Sequence, residues 1–317
     1  MLLRDRVIIF AVNIWCYLRH PILLIRYRRR HERWPWPAGP GDYWNKILWR
    51  KLFDRNPMFT RFSDKLQYKS WIASHYPDIH TAAVLWTGRV AGDIPIEEFV
   101  RQPAVMKSNQ GTNRSFFFAY QTLADCQSIM HTAQWWLDYN FGKRTGEWAY
   151  YGIRHKLFIE AEIVAPSGST AVDCNYFCAM GRLIQTRVIV GTKTPHERAA
   201  FFDRDGRRLV GRSLGMSGPD AMLPDDFVLP KAYFAAISTA EEISRDMDFV
   251  RLDFLIVEEK IYALECTWYP GSGYVRYSDP AIPAAFDDAW DIRQSWFMNS
   301  TGHRIAEIYK SALRRGL

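Results

Sequence analysis

Two carboxylates, Asp253 and Glu265, stand in the middle of otherwise apolar strand sequence in FVRLDFLIVEEKIYALECTWYPGSG, residues 249–273. No other feature of the chain limits the local fold as much. If Glu258, Glu259 and Lys260 form a short hairpin loop between two β-rich runs, Val257 pairs with Ile261 and Asp253 lies opposite Glu265. The same register sets Arg251 against Thr267. Period-2 alternation then puts these four polar side chains on one face and Leu252, Phe254, Tyr262, Leu264 and Cys266 on the other. Like charges across a ladder repel, and half-buried carboxylates without partners either neutralise or destabilise the sheet. A divalent metal with oxygen ligands removes both penalties. A solvated hairpin with scattered acids is the plainer alternative.

At 317 residues, 48% apolar and 15% aromatic, the chain has the composition of a packed protein of two or three lobes. Its net charge of +7 is concentrated near the start, where Arg4, Arg6, Arg19, Arg26, Arg28, Arg29, Arg30 and Arg33 lie. The remainder is close to balance, which argues against a nucleic-acid channel through the body. Cys16, Cys126, Cys174, Cys178 and Cys266 are odd in number and irregularly spaced. They read as core residues of a protein in a reducing compartment, the cytoplasm, with neither a disulfide framework nor a zinc site. The longest apolar run, residues 7–18, is interrupted by Asn13, falls well short of the ~20 residues of a bilayer span, and lacks a small-residue cleavage site.

Residues 1–33 read as a basic amphipathic helix broken at Pro21. Apolar bulk beside clustered arginine suits a helix lying on the anionic inner face of the cytoplasmic membrane, and equally a helix packed on the protein with a basic edge. The stiff linker WPWPAGPG closes this segment, residues 1–42. An N-terminal lobe, 43–103, follows, helical over 43–75 with Asn56-Pro57 as punctuation and a strand at 82–86. Residues 104–286 hold strands at 104–109, 116–120, 156–164, 172–180 and 182–191, and helices at 121–141 and 231–246. They also hold a hairpin about 203–206, a loop at 211–224 and the acidic hairpin. A single helix fills most of the last segment, 287–317. Strands and helices mix without βαβ regularity, so the expected class is α+β.

Three further stretches carry chemistry. In AVMKSNQGTNRSFFF, residues 104–118, Lys107 ends a strand and Ser108, Asn109 and Gly111 follow in a turn, offering a point charge and backbone amides to polyphosphate. The stretch matches neither the P-loop nor GxGxxG, and Asn113 stands where a second glycine is more typical; an ordinary lysine-bearing hairpin fits as well. Lys65 follows Ser63 and Asp64 at a helix start, where a cation opposes the macrodipole unless an anion sits there. HKLFIEAEI, residues 155–163, places Glu160 and Glu162 on one strand face, suited to an adenine amine and ribose hydroxyls or to an exposed sheet edge.

In this order, DK, the strand-lysine-glycine loop, IEAEI, RLD and ECTWYPGSG resemble the ATP-grasp superfamily. The closest likeness is to its TupA-like, teichuronopeptide-biosynthesis branch, over about residues 43–277. ECTWYPGSG is the most specific stretch, supported by EWAY and DCNYFC. The resemblance implies ATP held between two α+β lobes, with Lys65 and Lys107 on its phosphates and the 108–114 loop closing over them. It also implies Glu160, Glu162 and Ile163 about adenine and ribose, and Mg²⁺ on Asp253, Glu265 and Thr267, the last in place of the usual Asn. Arg251 then stabilises the transferred phosphoryl group with Lys107, and Gly271, Ser272 and Gly273 offer amides to the acceptor carboxylate or oxyanion. Asn175 and Gln110 depart from the Lys and His common in the branch. The implied activity is ATP-dependent carboxylate–amine ligation through an acyl phosphate, joining an amino acid or amine to an acidic sugar of a bacterial capsular or cell-wall polysaccharide. A sugar kinase using the same nucleotide site, and a membrane-surface binding module with a vestigial site, are the alternatives.

Overall fold

In the computed structural model, which describes residues 2–119, 121–192, 194–214 and 222–316, prolines and short polar side chains cut the N-terminal third into separate helices. Pro21 opens the second helix, where its missing amide costs nothing. The basic segment is therefore two helices, α1 (Leu3–Arg19) and α2 (Pro21–His31), bent by 98°. Asp42 caps α3 (Tyr43–Leu52) by accepting from the Asn45 amide. Asn56 caps α4 (Pro57–Ser63) through the Met58 amide, and Asp64 caps α5 (Lys65–His75) through the amides of Leu66 and Gln67. No single helix among the described residues is long and apolar enough to cross a membrane.

Two antiparallel sheets carry the rest. β1 (Val84–Gly88), β2 (Ala104–Ser108), β3 (Ser115–Phe117) and β4 (Leu157–Ala161) form the smaller, in the order β1-β4-β2-β3. The short α6 (Ile96–Phe99), then α7 (Leu123–Asp138), cover one face of it, and α8 (Phe141–Thr145) follows. Met106, Leu157 and Ile159 pack there on Cys126, Ala133 and Trp136, which leaves Val105, Lys107, Phe158 and Glu160 for the opposite face. β1, counted above with residues 43–103, pairs with β4, so one sheet crosses the expected boundary at 103.

The larger sheet comprises β5 (Val172–Ala179), β6 (Arg182–Val190), β7 (Arg198–Phe202) and β8 (Arg208–Leu209), with β10 (Val250–Val257) and β11 (Lys260–Thr267) completing the order β11-β10-β5-β6-β7-β8. β9 (Ser213–Leu214) pairs separately with β12 (Arg276–Tyr277). α9 (Ala232–Ile243) covers the sheet with Tyr233, Ala236 and Ala240, in a core that also holds Trp49, Phe59, Phe254 and Trp268. All five cysteines are buried and free. The class is α+β, as expected.

Two expectations fail in instructive ways. The single helix over 287–315 is instead α10 (Ala281–Ala289), a 3₁₀ turn, α11 (Trp296–Asn299) and α12 (Arg304–Gly316). Asp291 and Ser295 break it by accepting from the Arg293 and Met298 amides. Of the 211–224 loop, residues 215–221 lie outside the described residues. The acidic hairpin turns on two residues, not three. Glu258 and Glu259 take the left-handed φ values, 48° and 61°, of a tight hairpin turn, and Val257 pairs with Lys260. A bulge at Leu264 then adds the missing residue, and Asp253 lies opposite Glu265 after all. The faces in between change: Ala263 stands opposite Phe254 in the core, Tyr262 stands opposite Leu255, and Leu264 lines a cleft.

Candidate active site

One polar row crosses four strands. Arg187, Asn175, Asp253 and Glu265 are successive register partners on β6, β5, β10 and β11, and Asp173 and Arg251 lie two residues away on the same face. Lys107 and Glu160 of the smaller sheet and Lys65 and Lys69 of α5 join this row around a cleft of about 310 Å³. Gly111, Thr112, Asn113, Arg114 and Ser115 line it too. The volume sits at the small end of ligand sites.

Arg251 organises the acidic pair. Its Nε and Nη2 donate to Asp253 at 2.7 and 2.5 Å, and Nη2 also reaches Glu265 Oε1 and Thr267 Oγ1, each at 3.3 Å. The opposed acids are thus reconciled by an internal guanidinium, a solution not foreseen from the strand pattern. Burial raises the Asp253 carboxyl, while the two-pronged contact with Arg251 favours its charged form. Burial also raises Glu265, but Lys65 and Arg251 outweigh it and hold that group below the usual carboxylate range.

The three side chains expected to hold Mg²⁺ therefore converge on a single cationic nitrogen. Two carboxylates and a hydroxyl form a hard oxygen set that suits Mg²⁺, and a divalent ion would compete with Nη2 for the same oxygens. Among the described residues no three His, Cys, Asp or Glu side chains cluster to hold a metal. Further ligands would have to come from substrate oxygens and water.

Glu160 lines the cleft with its side chain already engaged. Its carboxylate is buried between Lys107 at 2.5 Å and Lys69 at 2.8 Å, so it orients two lysines toward the cleft. Burial raises its pKa, yet the two ammonium groups hold it low. Glu162 and Ile163 do not line the cleft. β4 ends at Ala161, and both residues border a separate groove with Val257, Glu258 and Tyr262.

Lys65 donates to the Gly111 carbonyl at 2.5 Å and lies 3.7 Å from Glu265, which answers its misfit at the helix N-terminus. Ser108 and Asn109 are buried outside the cleft. Asn109 donates to the Arg154 carbonyl and accepts from the Lys156 amide, stapling β2 to the approach of β4. Gly111 begins the cleft-lining part with φ of 79°, and Asn113, at φ 56°, adopts the left-handed form that made glycine more typical there.

Gly271, Ser272 and Gly273 also lie outside the cleft lining. The Ser272 amide donates to the Tyr269 carbonyl at 2.7 Å, so it is not free for an acceptor. Lys51 donates to the Ser272 carbonyl and hydroxyl at 2.9 and 3.0 Å, and Ser272 Oγ donates to Glu147. Burial lowers Lys51 to about 8 and raises Glu147. This turn is a locked buttress.

Sequence reasoning missed Lys69 and Arg187. The first was legible, since Lys65 and Lys69 are spaced i,i+4 on one helix face. Arg187, on a strand that also carries Arg182, Gln185 and Thr186, gave a weaker signal than Asp253.

Fold and site together define a two-sheet α+β protein with paired acids and converging lysines between the sheets. The chain belongs to the TupA-like ATP-grasp family, whose model matches residues 45–288. No protein of curated function matches it. Similar solved structures include the D-alanine–D-alanine ligase of Bacillus anthracis complexed with ATP, 13% identical at a TM-score of 0.39, with 66% of this chain and 56% of that one covered. A second structure of the B. anthracis enzyme is 17% identical at a TM-score of 0.41, covering 82% and 70%. An L-amino acid ligase from Bacillus licheniformis is 10% identical at 0.41, covering 73% and 49%. These are loose likenesses of architecture, and the chain spans about half the length of the first and third.

Proposed function

We propose that the protein is an ATP-dependent carboxylate–amine ligase that joins an amino acid or amine to an acidic sugar during bacterial surface-polysaccharide biosynthesis. The observation that carries this reading is the meeting of Lys65, Lys69 and Lys107 with Asp253, Glu265 and Arg251 in one cleft between two sheets. Family membership supports the nucleotide, and the acidic sugar rests on the resemblance to the polysaccharide branch.

A carboxylate is a poor electrophile. Its oxygen attacks the γ-phosphorus of ATP, the bond from that phosphorus to the β,γ-bridging oxygen breaks, and ADP leaves with the electron pair. The amine nitrogen then attacks the acyl carbon, gives up a proton, and inorganic phosphate departs. Lys107 and Lys69, oriented by Glu160, and Lys65 at the start of α5 bind the phosphates. Arg251 meets the charge that develops on the transferred group. Asp253, Glu265 and Thr267 would hold Mg²⁺, which when bound supplies charge neutralisation and a template for the phosphates. Closure of the lobes and the glycine loop over the cleft would keep water from the acyl phosphate.

Screening purified protein with ATP, candidate uronates and amino acids tests this. ADP should appear only when both substrates are present, and the product mass should show an amide. A phosphorylated sugar formed without an amine would establish the kinase instead. Asp253→Asn and Glu265→Gln should abolish turnover while the fold persists. If biological function survives both substitutions, the site is vestigial.

A further inference from the structure

Helix α1 exposes an apolar stripe while burying polar side chains on its inner face. Leu3, Val7, Phe10, Ile14 and Leu18, spaced three or four residues apart, form one outward stripe whose members are 78, 60, 54, 45 and 79% exposed. The face turned to the protein carries Asp5 and Asn13 as well as Ile9 and Cys16, all buried. Asp5 is gripped by Arg315 of α12 at 2.9 and 2.7 Å, and Asn13 accepts from the Ala38 amide. A helix facing water shows the reverse arrangement, since a large exposed apolar stripe forfeits the hydrophobic gain.

The stripe continues round the 98° bend. Ile22 and Ile25 of α2 are exposed, while Leu24 and Tyr27 are buried with Leu48 and Leu52. Trp34 and Trp36, also exposed, lie against Tyr17 and Phe10 with ring centroids 5.9 and 6.2 Å apart. Exposed arginines rim this apolar patch. Arg4 and Arg6 fall about 80° to either side of the α1 stripe at 100° per residue, Arg19 ends α1 at the bend, and Arg29 lies along α2.

We propose that the α1–α2 elbow is a monotopic membrane anchor. It sinks its aliphatic stripe into the acyl boundary of an anionic bilayer, with the tryptophans at headgroup level and the arginines on lipid phosphates. The charge pattern selects this occupant. A second copy of the chain would lay one arginine rim against another, whereas an anionic bilayer complements both the rim and the apolar centre. The anchor is fastened to the lobe that carries Asp253 and Glu265. Arg30 Nε donates to the Tyr274 carbonyl at 2.5 Å, and the His31 ring bonds the Gly273 carbonyl at 2.9 Å. The proposal is independent of the ligase reading.

Co-sedimentation of the full chain with vesicles of phosphatidylcholine, alone or with one-third phosphatidylglycerol, tests it. Binding to the anionic vesicles should exceed binding to the neutral ones and weaken as salt rises. Val7→Ser, Phe10→Ser and Leu18→Ser together should lower partitioning at least about tenfold with the melting temperature unchanged. Arg4→Gln, Arg6→Gln and Arg29→Gln should erase the preference for anionic lipid. Deleting residues 1–33 is a poorer test, because Leu24 and Tyr27 belong to the core. Undiminished binding by the serine variant, or a parent chain that stays in the supernatant, overturns the proposal. The latter includes a dimer in solution that the serine substitutions dissociate, since that result would make a second copy the occupant.

Discussion

Arg251 and Asp253 sit two residues apart on β10 and form a two-pronged ion pair, Nε to Oδ1 at 2.7 Å and Nη2 to Oδ2 at 2.5 Å. The side chains are 19% and 7% exposed, so the pair is shielded from water and its partners depend on each other.

Removing the guanidinium should therefore uncover the repulsion it masks. Arg251→Gln is expected to cost about 3 kcal/mol of stability, the scale for stripping one partner from a buried pair. Mg²⁺ with a non-hydrolysable ATP analogue should restore much of the loss, because a cation at the same oxygens replaces the missing charge. Thermal melts with and without the two additions measure this. A deficit indifferent to Mg²⁺ would deny the oxygens a shared cation site.

Glu160 links two lysines, which makes its neighbours energetically coupled. Glu160→Gln and Lys69→Met should each destabilise the protein by about 3 kcal/mol, and the double variant should lose much less than the sum. Urea unfolding of the four proteins gives the coupling. Strict additivity would return Glu160 to the role of a free ligand for nucleotide.

Asp54 supplies a pH signature away from the cleft. Burial, with Asp248 nearby, lifts its carboxyl to about 7 against the pull of Arg50, and its Oδ2 has no hydrogen-bond partner. The folded-state value lies above that of the unfolded chain, near 4. Asp54 therefore contributes stability below pH about 4 that is lost as pH rises to about 7. Asp54→Asn, which keeps an oxygen for the Phe297 amide, should flatten this part of the stability profile and stabilise the protein at pH 8. An unchanged slope between pH 4 and 7 would place Asp54 in an ordinary environment.

The PGSG turn offers a steric comparison. Gly273 has φ of 69°, and a Cβ there would lie 2.6 Å from Ile47 Cγ2; Gly168 has φ of 88° and open space around it. Gly168→Ala should cost about 1 kcal/mol for the left-handed backbone alone, and Gly273→Ala about 2 kcal/mol or more once the clash is added. Equal losses in denaturant melts would mean that the turn yields freely.

Much of the site was written in local pattern. Acids and a lone arginine in apolar strands, a lysine before a glycine turn, and a lysine one residue after a cap all marked Arg251, Asp253, Glu265, Lys107 and Lys65, and all of them meet in the cleft. The contacts that local pattern did not announce depended on what lay across from a residue. Glu160 looked free because Lys69 is ninety-one positions earlier in the chain and reaches it only through the packing of α5. The 108–109 pair looked like a phosphate loop because nothing local announces that Arg154 and Lys156 will claim Asn109.

Strand alternation, caps and breakers are short-range steric and hydrogen-bonding preferences, so residue order alone determined the α+β class, most element positions and the residues able to bear charge in the cleft. Tertiary structure decided which charges neutralise each other, because Coulombic partners and burial depend on distances between segments far apart in the chain. The hairpin shows both. Its apolar runs specified two strands, but only the packed sheet settled a two-residue turn and a bulge at Leu264 that together return Glu265 to Asp253.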